Sequence, residues 1–233
     1  MDIDLTSIAI SEIRNELTKQ CEVRLLVLRL DLIHPFISGN KYFKLKYNIT
    51  EARRQGKDTL LTFGGAYSNH IVATANAGQL HGLKTIGIIR GEKMEPLNSR
   101  LIFAKECGME LQFVSREKYK EYRDESFLKI DFPLSENYFQ IPEGGANILG
   151  IKGCSEIIDF ITEPFDTICC ACGTGTTLAG IILSLHDNQQ VIGFQVLKGT
   201  GYLKKEVERS NLLYGIQIVS SPKKKNNQSE NIV

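Results

Sequence analysis

The sequence predicts an α/β protein built on a parallel sheet. Two observations lead there. Short apolar, strand-like segments alternate with helix-like ones along most of the chain, and small glycine-containing turns repeatedly separate a strand from the helix after it. Strands joined through helices return in the same direction, so they pair in parallel.

Residues 6–18 have amphipathic spacing and are expected to form a short helix, and 23–30 (Val-Arg-Leu-Leu-Val-Leu-Arg-Leu) a strand. His34, Pro35 and Gly39 break the pattern, making 31–40 a loop. A helix is expected from residue 41 or 42 to 55, closed by Gly56, Lys57 and Asp58. A strand at 59–63, a turn at 64–68 and an alanine-rich helix at 69–80 follow, the helix ending at His81 and Gly82. The alternation continues with a strand at 85–89, a charged loop after Arg90 and Gly91, a helix at 97–107 stopped by Gly108, and a strand at 111–114. Residues 115–136 are charge-rich and expected to be partly helical, broken at Asp131, Phe132 and Pro133. A strand at 138–141 leads through Gly144, Gly145, Ala146 and Asn147 to a helix at 150–160, and glycines in that position suit backbone presented to a cleft. An apolar strand at 166–171, a helix at 178–185 and a strand at 192–196 come next. A helix at 204–213, a strand at 217–219 and a disordered polar tail at 221–233 complete the expected order.

A chain of 233 residues, 42% of them hydrophobic, can bury a core as one large domain or two small ones. Lys and Arg number 28 against 27 Asp and Glu, and a net charge of +1 argues against a dedicated nucleic-acid binder. No apolar run approaches the roughly 18 residues of a membrane helix, and Met1-Asp2-Ile3-Asp4 lacks the basic and then apolar regions of a signal peptide. A cytoplasmic protein is expected. Cys169, Cys170 and Cys172 crowd one strand-like run, with Cys21, Cys107 and Cys154 elsewhere; buried free thiols are expected in preference to disulfides. The four histidines, His34, His70, His81 and His186, fit no ligand spacing, so no metal is expected.

Three stretches carry possible chemistry. Ser38-Gly39-Asn40-Lys41 places a lysine at a helix entrance beside an asparagine. By itself Lys41 reads first as a solvated helix-start lysine; the other reading, an amine that condenses with a carbonyl cofactor, requires a lowered pKa and a nearby anion site. Gly64-Gly65-Ala66-Tyr67-Ser68-Asn69-His70 is a second loop at a helix start. Gly173, Thr174, Gly175, Thr176 and Thr177 follow a strand and open a helix, where successive N–H groups and hydroxyls can cradle a phosphate; an ordinary threonine-capped turn is the alternative. Neither a Walker loop nor a dinucleotide fingerprint is present there. A phosphate cradle, an early lysine and a polar glycine loop together fit pyridoxal phosphate, which needs an amine for its aldehyde and a nest for its phosphate.

Gly39-Asn40-Lys41-x-x-Lys44-Leu45 and Gly64-Gly65-x-x-Ser68-Asn69-His70 resemble the cofactor-lysine and substrate-loop motifs of the 1-aminocyclopropane-1-carboxylate deaminase and D-cysteine desulfhydrase family, within the fold-type II pyridoxal-phosphate enzymes. The similarity runs from about residue 31 to 199. The resemblance implies a two-domain open parallel-sheet architecture, with 1–43 and 146–220 as a large cofactor-binding domain, incomplete at its C-terminal side, and 44–145 as a small α/β domain. It implies that Lys41 carries the cofactor, that Lys44 and the 173–177 loop hold its phosphate, with Thr174 and Thr176 as side-chain donors, and that Asn40 and Asn69 lie near it. Ser68, Asn69 and His70 would receive the substrate carboxylate, and Ser68 would take part in proton transfer. The histidine at 70, where the deaminases tend to have glutamine, leans toward the desulfhydrases. A small amino acid is the implied substrate, with no nucleic-acid or membrane partner and a homodimer left open. Because family members continue beyond this length, a shortened chain that binds the cofactor without turnover is the second expectation.

Overall fold

A computed structural model describes residues 3–122, 137–196, 203–205 and 207. In chain order its main elements are β1 (Ile10–Ile13), α1 (Glu16–Gln20), β2 (Leu25–Leu28), α2 (Asn40–Arg54), β3 (Thr59–Gly65), α3 (Asn69–His81), β4 (Lys84–Arg90) and α4 (Ser99–Glu106). Then come β5 (Met109–Val114), α5 (Arg116–Glu121), β6 (Tyr138–Ile141), α6 (Ile148–Ser155), β7 (Thr167–Cys172), α7 (Thr176–Leu183) and β8 (Gln190–Gln195). The predicted parallel sheet is present as a four-stranded sheet in the order β5-β4-β3-β6, every pair parallel. Its central strand β3 is buried almost throughout, as a strand covered on both faces should be. β7 and β8 form a second parallel pair, with Cys170 opposite Gly193.

Helix α2 supplies much of the largest core. Its buried face, with Tyr42, Phe43, Leu45, Ile49 and Ala52, joins Leu60, Ala73 and Ile141 in the largest core. α6 lies between α2 and α7, and small residues make both contacts. A Cβ on Gly153 would collide with the carbonyl oxygen of Phe43, and one on Gly180 would stand 2.7 Å from Ile151 O. We therefore expect Gly153→Ala to destabilise the protein by about 1–3 kcal/mol, the range for overpacking a tight interior, measured by denaturant unfolding.

The N-terminal region departs from expectation. Residues 6–18 are not one helix: Ile10–Ile13 pairs antiparallel with Leu25–Leu28, and the helix begins only at Glu16, where Asn15 and Thr18 form a reciprocal capping box. Ile8 and Leu28 pack on the Phe43 core, so tertiary pairing overrides the helical spacing. The helix expected at 150–160 ends at Ser155 and tightens into a 3-10 turn, Glu156–Phe160. All six cysteines are free, but Cys21 and Cys169 are exposed, not buried as expected. The reason for Cys169 is alternation: Cys170 and Cys172 point toward α7, while Thr167, Cys169 and Ala171 occupy the outer face, which the described residues leave uncovered. Leu203–Lys205 and Val207 are helical, with Leu203 and Val207 buried against Cys172 and Leu178. The break at 131–133, most of the helix at 204–213, the strand at 217–219 and the tail at 221–233 lie outside the described residues. Among the described residues no helix is long and apolar enough to cross a membrane.

Candidate active site

The loop before α2 sets the position of Lys41. His34 Nδ1 accepts from the backbone N–H groups of Phe36 and Ile37 at 3.2 and 3.1 Å, folding 34–37 into a tight turn. Gly39 then adopts φ +62°, a left-handed conformation that favours glycine, and α2 begins at Asn40. Tyr42 and Phe43 turn into the core, as a packing role predicts. Lys41 and Lys44, three residues apart, share the opposite face. Lys41 Nζ donates to Asn40 Oδ1 at 2.8 Å, and Asn40 Nδ2 donates to Thr177 Oγ1 at 2.7 Å. Asn40 thus ties the lysine to the first turn of α7, and hence to the 173–177 loop.

That loop meets Lys44. Lys44 Nζ donates to Gly144 O at 3.0 Å and to Thr174 Oγ1 at 3.4 Å, and Thr174 and Thr176 hydroxyls lie 2.9 Å apart. Gly144 and Gly145 hold positive φ, and a Cβ on Gly144 would press on Thr174, 2.8 Å from its Cγ2. Lys44 is only 4% exposed, yet no described carboxylate pairs with it. Burial lowers its pKa, opposed by the thiols of Cys154, Cys172 and Cys170. A buried cation with only a carbonyl and a hydroxyl for company is costly unless an anion joins it. The hydroxyls of Thr174 and Thr176 beside it supply further donors, so the arrangement fits a phosphate group.

A cavity of about 570 Å³ opens on the other side of Lys41, lined among others by Ser38, Asn40, Asn69, Ser99, Arg100 and the stacked pair Phe36 and Phe103. Of the substrate-loop residues, Asn69 lines it. The side chains of Ser68 and His70 do not. Ser68 Oγ caps α3, accepting from the N–H groups of His70 and Ile71 at 3.2 and 3.4 Å. His70 is buried, its Nε2 2.9 Å from Thr62 Oγ1, which itself donates to Ile141 O at 2.9 Å, while its Cε1 lies under Gly145. Asn147 also turns away, donating to Asn48 Oδ1 at 2.7 Å and capping α6. Tyr67, 76% exposed, lines a separate cavity with Arg90 and Phe113.

Burial, followed by the positive charge of Lys44, lowers the Lys41 pKa from 10.5 to about 8. His70 is pushed well below its usual value by burial and then by Lys41 and Lys44, so it is neutral at pH 7. Lowering a lysine's pKa raises the neutral, nucleophilic fraction at a given pH. Reductive labelling of Lys41 should therefore rise with pH through about 8, well below the midpoint near 10.5 of an ordinary lysine, as read by peptide mapping across a pH series.

A half-buried amine of lowered pKa joined to an anion cradle is the arrangement a carbonyl-and-phosphate cofactor requires. The sequence profile of the pyridoxal-phosphate dependent enzyme family matches residues 14–222. The chain belongs to this family. Within it, the chain is 37% identical over 206 residues to a Thermotoga maritima protein provisionally named 1-aminocyclopropane-1-carboxylate deaminase, covering 83% of this chain and 65% of that protein. It is 34% identical over 178 residues to the bifunctional D-cysteine desulfhydrase/1-aminocyclopropane-1-carboxylate deaminase of Arabidopsis thaliana, covering 68% of this chain and 44% of the other. A crystal structure of a 1-aminocyclopropane-1-carboxylate deaminase homologue superposes with a TM-score of 0.75 at 27% identity, over 94% of this chain and 71% of that one. The α/β parallel-sheet fold expected from the motifs is thus the fold of the family. The chain spans 65% of the length of the Thermotoga relative.

In this pyridoxal-phosphate family member the residues that the sequence motifs named fall in two joined places: Asn40, Lys41 and Asn69 line one cavity, and Asn40 and Lys44 bond Thr177 and Thr174 of the 173–177 loop. Sequence reading missed Arg100, Phe36 and Phe103 as cavity residues and Thr62 as the partner of His70. Arg100 lies in the first turn of α4, where nothing in the local sequence marks it as a cavity residue. The His34-Pro35 turn was the one pointer to the Phe36 wall.

Proposed function

We propose that the protein is a pyridoxal-phosphate-dependent deaminase or desulfhydrase of a small amino acid, either 1-aminocyclopropane-1-carboxylate or D-cysteine. It would release ammonia and a 2-oxo acid, with sulfide in the D-cysteine case. The observation that carries this reading is geometric: Lys41 is tied through Asn40 to Thr177, and, one helical turn on, the buried Lys44, with which no described carboxylate pairs, bonds Thr174 of the same loop. The names of the relatives support these two as the substrates to test.

When bound, pyridoxal phosphate supplies an electron sink for the substrate bond to be broken. In this reading the protein does the rest. Lys44, Thr174, Thr176 and the N–H groups from Gly173 to Thr177 hold the phosphate. Lys41 holds the cofactor, and its amine at Nζ takes a proton and returns it, poised by Asn40. Asn69 and the start of α3 receive the substrate carboxylate, His70 supports that turn from below, and Ser68 holds the turn through its helix cap, the proton-transfer role that the family resemblance implies for it requiring its hydroxyl to leave that cap. Residues 44–145, built on the four-stranded sheet, would be the small domain and 1–43 with 146–220 the large one. We place the protein in the cytoplasm, with a homodimer as the assembly to test by light scattering.

The test is product release by the protein supplied with cofactor. Ammonia from 1-aminocyclopropane-1-carboxylate without sulfide from D-cysteine assigns a deaminase, and the reverse a desulfhydrase. Bound cofactor with neither product identifies the alternative, a family member that binds without turnover, and contradicts the enzymatic reading.

A further inference from the structure

The cavity beside Lys41 contains a charge that cofactor binding does not use. Arg100 enters it from the first turn of α4, whose start is fixed by Asn98 Oδ1 accepting from the N–H groups of Arg100 and Leu101 at 3.0 and 3.2 Å. Its Nη1 donates to Asn69 Oδ1. Among the described residues no carboxylate pairs with it, and no acidic residue lines the cavity, whereas Lys41 does. Phe36 and Phe103, with ring centroids 3.9 Å apart and planes 24° from parallel, wall the same space with apolar surface.

A guanidinium carries five N–H donors in a planar fork. Here one donor is engaged by a neutral amide oxygen, and Arg100 lines a cavity to which no acidic residue contributes among the described residues. With its Oδ1 so engaged, Asn69 offers Nδ2–H as a donor. A carboxylate is the group that both side chains can bind at once, accepting in parallel from Arg100 and singly from Asn69. We propose that Arg100 is a specificity-determining residue that binds the carboxylate of the amino-acid substrate jointly with Asn69. The proposal rests on the reading that this cavity receives the amino acid. It makes carboxylate recognition depend on a residue outside both sequence motifs, and it predicts that the site rejects amides and amines of the same shape.

The test uses two unreactive ligands, cyclopropanecarboxylate and cyclopropanecarboxamide, which match in shape and differ in charge. Their binding is measured by calorimetry on the cofactor-loaded wild type, Arg100→Gln and Arg100→Lys. We expect the wild type to favour the carboxylate. Arg100→Gln should bind the carboxylate about 10–100-fold more weakly, the scale of losing hydrogen bonds to a charged group, and the carboxamide nearly as before. Arg100→Lys should recover part of the loss, since it restores charge without the fork. Undiminished carboxylate binding by Arg100→Gln overturns the proposal. So does an equal loss for both ligands, which would reduce Arg100 to a prop for Asn69. The visible absorption of the bound cofactor, recorded on the same samples, separates the two claims. Its absence from the wild type counts against the proposed function, whereas its presence in all three proteins with no change in ligand preference counts against Arg100 alone.

Discussion

Lys41→Ala should lose the visible absorption band of lysine-bound cofactor and lose turnover with it. In the proposed function this amine both holds the cofactor and relays a proton, so activity should fall by roughly 10²–10⁴-fold or more. Its environment makes the loss specific to chemistry. Lys41 has no ion pair among the described residues, and its one hydrogen bond is to the neighbouring Asn40, so alanine at this position should leave the thermal midpoint nearly unchanged. Lys41→Arg sharpens the comparison. It keeps a positive charge in the same place, but a guanidinium stays protonated far above the pH of about 8 at which Lys41 releases its proton. An arginine variant that still showed the band would mean that charge, not nucleophilicity, is what the position supplies.

Lys44→Met should move stability and cofactor affinity in opposite directions. The Lys44 ammonium is buried against Gly144 O and Thr174 Oγ1 without a described carboxylate, so it burdens the cofactor-free protein. Methionine keeps the length of the stem and removes the charge. We expect the cofactor-free variant to be more stable by on the order of 1 kcal/mol in denaturant unfolding, relief of the buried charge outweighing the donor lost to Gly144 O. Pyridoxal phosphate and inorganic phosphate should both bind about 10–100-fold more weakly. A variant that is less stable and binds phosphate as tightly as the wild type would show that Lys44 is structural.

The two halves of this site differ in how far local sequence reveals them. Gly39-Asn40-Lys41 and Gly173-Thr174-Gly175-Thr176-Thr177 are legible because their chemistry is local: a permissive glycine, a polar side chain and a helix start lie within a few residues of one another. Their joining through the Asn40–Thr177 bond spans 137 residues and comes from the packing of α2 on α6 and α7, where Gly153 and Gly180 permit close approach. Ser68 and His70 were read from the same kind of motif, yet their side chains serve the helix cap and a buried bond to Thr62. A motif marks where a turn sits, not which of its side chains face the cleft. Arg100 was illegible for the complementary reason, since only the docking of α4 against the start of α3 brings it to Asn69. At the N-terminus, apolar spacing over 6–18 suited a helix, but the backbone of Ile10–Ile13 found a partner in Leu25–Leu28. That pairing is a long-range fact, invisible to a local period.

The proposed function turns on Lys41 being the residue that takes the cofactor. The measurement is borohydride reduction of the protein incubated with pyridoxal phosphate, followed by proteolysis and mapping of the labelled peptide. Label at Lys41, formed with a pH midpoint near 8, is the predicted result. Label on a different lysine, with Lys41 recovered unmodified, would contradict it.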